Sequence, residues 1–213
     1  MYWRLSATVT ACVAADRILF LDVAQDRYFA LPPSLGESFL TWLEAPQTEL
    51  PESCAAALSG FGTAGLRPSR CRVPNPPPLD SKALARHAIG ARDLVSVGRC
   101  VVSAYRQVRS RPLAAVLARR FPSSRPKGAA VVDLEARLAT FRSARPWIPV
   151  PRVCLHDALA LMDWLGASAA GVTLVFGVSA YPFAAHSWVQ TDRMVLDDHP
   201  ESPSRFQPIL HLP

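Results

Sequence analysis

The 213-residue chain has no stretch of about 18 uninterrupted apolar residues, the length a membrane-spanning helix needs. Its opening, Met1-Tyr2-Trp3-Arg4-Leu5, has neither the charged start nor the long apolar run of a secretory signal, so a cytoplasmic protein is expected. Cysteine is scarce. The five present (Cys12, Cys54, Cys71, Cys100 and Cys154) are odd in number, far apart and never in a CxxC pair. A disulfide framework and a zinc ribbon are therefore not expected. HExxH, the GxxxxGK[ST] phosphate loop and any internal repeat are also missing. No cofactor or metal is expected from motifs. The nearest approach to a metal cluster, Cys154 with His156, His186 and His199, lacks a recognised ligand spacing.

Half of the residues are hydrophobic, enough for a real core and too many for wholesale disorder. The net charge is +6 and is unevenly spread. Residues 1–66 carry three Lys/Arg against seven Asp/Glu, residues 67–152 eighteen against four, and residues 153–213 two against six. The basic middle points to an acidic or phosphate-bearing partner or to a solvated helical surface.

Against these absences one ordered set of residues stands out: Cys154, His186 and Asp198. Pro149 and Pro151 end any preceding helix, and Leu155, Ala158, Leu159, Leu161, Met162 and Leu165 then follow at the spacing of an apolar helix face. Cys154 is thus expected at a helix N-terminus, where free N–H groups and the helix dipole favour a thiolate. The apolar run 171–178 reads as a buried strand, 186–190 as the next and 194–196 as a third, with Thr191-Asp192-Arg193 as the turn between the last two. His186 then starts one strand while Asp198 ends its neighbour, at one end of the sheet. A thiol, a base to activate it and an acid to steer the base are the parts of a cysteine nucleophile.

These segments also carry a family resemblance. Cys154-Leu155-His156-Asp157-Ala158-Leu159, then Leu174-Val175-Phe176-Gly177-Val178, then Pro182-Phe183-Ala184-Ala185-His186-Ser187-Trp188-Val189, resemble the leader peptidase of lasso peptide biosynthesis. The ending Val195-Leu196-Asp197-Asp198, with Phe206-Gln207-Pro208-Ile209-Leu210, is similar to the C-terminus of that family. The resemblance implies a transglutaminase-like, papain-like fold with Cys154 as nucleophile, His186 as base and Asp198 as orienting acid. Ser187 stands where that family usually has alanine, and Asp197 where asparagine is common, so two acids are candidates.

Upstream, residues 8–13, 17–21 and 28–31 read as three short strands. Ser34, with Glu37 three residues on, reads as the capping box of a helix containing Leu35, Phe39, Trp42 and Leu43. A short helix over 52–58 and a final turn or strand over 61–67 follow. This order, with the run Asp26-Arg27-Tyr28-Phe29-Ala30-Leu31, resembles the small winged-helix domain that recognises leader peptides. The resemblance implies that a leader pairs with an exposed strand edge. The expected peptide-binding residues are Arg27, Tyr28, Phe29, Ala30 and Leu31, beside a groove near Trp42 and residues 50–58. The acidic charge of this segment argues against nucleic acid as a partner.

Pro74-Asn75-Pro76-Pro77-Pro78 reads as a stiff spacer. The expected fold is α+β: a recognition domain over 1–73, a linker over 74–80 and a cysteine protease domain over 81–213. The protease domain opens on a long helix with Leu84, Ala88, Ala91, Val95, Gly98, Val102 and Tyr105 as its buried seam. A helix over 133–144 is expected next. The resemblance implies a leader peptidase that binds a precursor peptide and hands its core to an asparagine-synthetase-like, ATP-dependent cyclase. The ATP requirement of maturation is placed with that partner or left open. A non-catalytic precursor-binding scaffold and an acyl transferase with the same triad are the alternatives.

Overall fold

The computed structural model describes residues 2–44, 49–65, 88–121, 133–166, 171–196 and 203–212. The expected linker 74–80 and the seam residue Leu84 lie outside the described residues, as do Asp197, Asp198 and His199.

The N-terminal part is built on a three-stranded antiparallel meander of β2 (Val9–Ala14), β3 (Arg17–Asp22) and β4 (Arg27–Ala30). A further pair joins β1 (Tyr2–Leu5) to β5 (Gly62–Gly65), and β1 was not expected from the pattern. The meander alternates with period two, and both of its faces are apolar. Val9, Ala11, Ile18 and Phe20 point to a core shared with Phe39 and Trp42 of α1 (Pro33–Glu44) and Cys54 of α2 (Glu52–Ala57). Cys12, Ala14, Leu19 and Leu21 point the other way, into the core of the C-terminal part. α1 starts at Pro33 rather than after a Ser34 cap, and the Leu35 N–H bonds the Pro32 carbonyl. Proline's fixed φ suits a first helical position, where no N–H is needed.

The C-terminal part sets helices against an antiparallel sheet of order β7-β6-β8: β6 (Thr173–Ala180), β7 (Phe183–Gln190) and β8 (Gln207–Leu212). The helices are α3 (Ala91–Ser110), α4 (Leu113–Arg120), α5 (Leu134–Ala144) and α6 (Cys154–Leu165). α6 is the apolar centre, with Ala158, Leu159, Ala160 and Leu161 fully buried.

Three expectations need correcting. The buried face of α3 is Val97, Val101 and Ala104, whereas Val95 is 62% exposed. The helix carries two interleaved sets of apolar residues at three- and four-residue steps, and packing on α5 and α6 selects the other one. A Cβ added at Gly98 would meet only Ile148 Cγ1, at 4.0 Å, so this glycine makes no close helix contact. Residues 194–196 make a single bridge, Gln190 to Val195, rather than a strand. β6 already has β7 on one edge and β8 on the other, and β8 supplies the third strand. His186 lies within β7 instead of starting it, because the β6–β7 hairpin turns earlier, at Tyr181-Pro182.

Candidate active site

Cys154 is the first residue of α6, and Val153 precedes it in extended conformation without a side-chain cap. The uncapped first-turn N–H groups and the dipole therefore face the sulfur's end of the helix. Arg145 delivers the chain to this point. It is 2% exposed; its Nε donates to Asp157 Oδ1 at 2.7 Å, and its terminal nitrogens donate to the carbonyls of Ile148, Val150 and Pro151 at 3.1–3.3 Å. One guanidinium thus fixes both the loop before Cys154 and the acid in the first turn of α6. Arg152 adds a second cation 3.6 Å from Asp157, so this carboxylate is balanced and opposes a thiolate less.

β7 is the outer strand of its sheet, beside the start of α6. Burial pushes the Cys154 thiol up, but the neighbouring His186 and Ser187, with the imidazole's charge, bring its pKa below the usual thiol value. The structure therefore brings Cys154 and His186 together.

The imidazole is held by rings. His186 stacks on Phe206 at 5.0 Å between centroids and on Trp188 at 6.0 Å. Trp188 is fully buried, and its Nε1 donates to Gln190 Oε1 at 2.7 Å. Opposite His186 on β6 stands Gly177. A Cβ there would lie 2.6 Å from Trp188 Cζ3 and 2.9 Å from Phe206 Cβ. Only glycine lets the two rings approach the strand this closely.

Asp198 and its alternative Asp197 lie outside the described residues. The chain just before them is fastened beside β7: Leu196 N–H bonds the Val189 carbonyl at 2.8 Å, and Arg142 donates to the Leu196 carbonyl at 2.6 and 3.1 Å.

The N-terminal meander reaches this site. Tyr28 of β4 packs edge-on against Phe183 at 5.7 Å, and Arg17 lies over the Tyr181 ring at 5.1 Å. The Tyr28 phenol is pushed up to about 12, first by burial and then by the negative charge of Asp26, Cys154 and Cys12. It is therefore a neutral hydrogen-bond donor at ordinary pH. Phe29 faces away and stacks between Phe20 and Phe61 at 4.8 and 4.3 Å, with Arg27 over the Phe61 ring; Leu31 is buried. Phe39 and Trp42 are core side chains, 0% and 2% exposed. His156 is also a core residue, edge-on to Tyr105 at 5.3 Å, and among the described residues no cluster of metal-ligating side chains forms.

Residues 97–211 match the model of the transglutaminase-like superfamily. The chain belongs to this superfamily. No curated protein and no solved structure matches it. A cysteine at a helix start facing a strand histidine fits the cysteine peptidase or acyl-transfer chemistry that the superfamily supports. No described helix is long and apolar enough to cross a membrane.

Sequence reasoning missed Arg145, the ring clamp on His186 and the reach of Tyr28. Burial of an arginine and contacts between distant strands leave no local signal. Gly177 inside a strand pattern was the one visible cue, since such a glycine often marks a close approach.

Proposed function

We propose that the chain is a leader peptidase of lasso-peptide maturation, in which one molecule both recognises the leader and cuts it from the core. The observation that carries this reading is Tyr28. Its side chain lies against the Cys154 site, while its backbone belongs to an outer strand. Leu31 N–H bonds the Ile18 carbonyl, so by alternation Arg27 and Phe29 turn their backbone groups to β3, and Tyr28 and Ala30 turn theirs to the free edge. A leader added as a strand on Tyr28 and Ala30 runs past Phe183 toward the sulfur.

In the reaction, Cys154 Sγ attacks the carbonyl carbon of the last leader residue. The C–S bond forms, and the C–N bond breaks as His186 gives its proton to the departing core amine. Water, deprotonated by His186, then attacks the thioester, releasing the leader acid and restoring the thiol. Asp198 steers the imidazole. The Cys154 backbone N–H is one donor to the oxyanion. Core closure, with its nucleotide, belongs to a separate asparagine-synthetase-like cyclase.

A short precursor is expected among the open reading frames beside this gene, and the test is mass analysis of that precursor after incubation with the purified chain. Free leader acid and free core are expected. Cys154→Ala and His186→Ala should each abolish both while still binding precursor. Cleavage by either variant overturns the proposal, and an amide adduct of the leader in place of the acid identifies an acyl transferase. Precursor binding without cleavage by the unmodified chain identifies a scaffold.

A further inference from the structure

Ser187 carries an oddity that the triad does not use. The residue is 3% exposed, and its buried Oγ has no hydrogen-bond partner of normal geometry. A hydroxyl taken out of water with nothing to bond costs stability, so its retention needs a reason. Its surroundings supply one. Along β7 the backbone groups alternate between the two edges of the strand. The Val189 carbonyl faces the outer edge, where it accepts from Leu196, and Thr191 N–H faces the same way, to Met194. Two residues back, the same parity turns the Ser187 N–H to the outer edge of β7, the strand of this sheet that packs most closely on α6. The Ser187 side chain lies on the opposite face of the strand from that of His186, on the side of α6 and Val189. Its hydroxyl and its backbone N–H both favour the charged form of Cys154.

We propose that Ser187 is a catalytic residue, whose backbone N–H and side-chain hydroxyl both donate hydrogen bonds to the Cys154 sulfur once it is a thiolate. The neutral thiol is a weak acceptor, and the hydroxyl is left idle beside it. Proton transfer to His186 creates an anion that the waiting hydroxyl can bond, so the thiolate-imidazolium pair gains a contact that the neutral pair lacks. Among the described residues, the other titratable groups facing the sulfur are His186 on β7 and Tyr28 on β4. On α6 itself Asp157 is balanced by Arg145 and Arg152. Neither Tyr28 nor Asp157 supplies charge that favours the thiolate; His186 and Ser187 do so in addition to the N-terminus of α6.

The inference rests on Cys154 being the nucleophile, and the test separates the two claims. Intact protein is alkylated with iodoacetamide from about pH 5 to about pH 9, spanning the ordinary thiol pKa of roughly 8.5, and labelling at Cys154 is followed by peptide mass. Cys54 and Cys100, whose pKa values burial raises, serve as slow internal references. The unmodified chain should show a Cys154 midpoint below that of an ordinary thiol. Ser187→Ala, which keeps the backbone donor, should raise the midpoint by about one unit and slow labelling below it about tenfold. Ser187→Thr should restore both. Melting temperature supplies the readout that a merely structural role would move the other way: removing an unpartnered buried oxygen should leave it unchanged or raise it. A lowered midpoint that Ser187→Ala does not move overturns the role of Ser187 alone. An ordinary midpoint in the unmodified chain overturns the nucleophile as well.

Discussion

Gly177 and His186 face each other across the β6–β7 ladder, and the missing side chain of the first creates the clamp on the second. Trp188 and Phe206 occupy the space that a Cβ would claim, and both present a ring to the imidazole. A histidine that must accept a proton from one partner and pass it to another needs a fixed ring plane. Here aromatic packing sets that plane from below the strand.

Gly177→Ala should therefore harm activity more than stability. Overpacking of this kind costs about 1–3 kcal/mol, because the rings must shift or the strand must bulge. The displaced rings release His186, so precursor cleavage should fall at least tenfold in protein that still melts cooperatively. Circular dichroism melts and cleavage rates measured on the same preparation check this. Unchanged cleavage would show that the clamp is only core packing.

The orienting acid is decided by substitution. Arg142 and Val189 fasten Leu196 beside the strand that carries His186, one residue before Asp197 and two before Asp198. Asp198→Asn should lower cleavage by a factor on the order of 10³ to 10⁴, as expected when an imidazole loses its tautomer-fixing partner, and Asp197→Asn should do much less. The reverse order would assign the role to Asp197.

Leader recognition on β4 has a backbone test. Because the Ala30 N–H faces the free edge, Ala30→Pro removes no bond to β3 and should be tolerated, as proline is on outer strands. It does remove a donor to an added strand. Precursor affinity, measured by fluorescence anisotropy with a labelled leader, should weaken several-fold while the melting temperature holds. Unchanged affinity would move the leader off this edge.

Acid should destabilise the fold through its core histidines. Burial pushes the pKa values of His156 and His211 below the usual imidazole value. A base whose folded pKa is depressed binds more protons unfolded, so its contribution to stability is complete above about pH 6.5 and is lost as pH falls below that. The melting temperature should drop between about pH 7 and about pH 5, and His156→Phe, which keeps the edge-on contact with Tyr105, should flatten the drop.

How much of this was legible in the sequence depends on how local each signal is. The start of α6 was readable at Cys154, because prolines stop one element and an apolar repeat opens the next. The meander was readable because β-branched and aromatic residues alternate between turns at Ala15-Asp16 and near Asp26, where the backbone adopts positive φ. The buried face of α3 was not, since two apolar sets compete and only contact with α5 and α6 chooses between them. The pairing of β1 with β5 and of β8 with β6 joins segments far apart in the chain, and no periodicity encodes a partner.

The sequence by itself determined the chemistry available: one thiol at a helix start, a histidine downstream, two acids after it, and strands whose alternation gives the N-terminal sheet two apolar faces. Tertiary structure alone decided what that chemistry meets. It carried Tyr28 from β4 to the edge of the cysteine site, closed two rings on His186 through the gap at Gly177, and buried the Ser187 hydroxyl without a partner next to His186. Each of these depends on contacts among elements whose registers are set only when apolar faces pack in three dimensions.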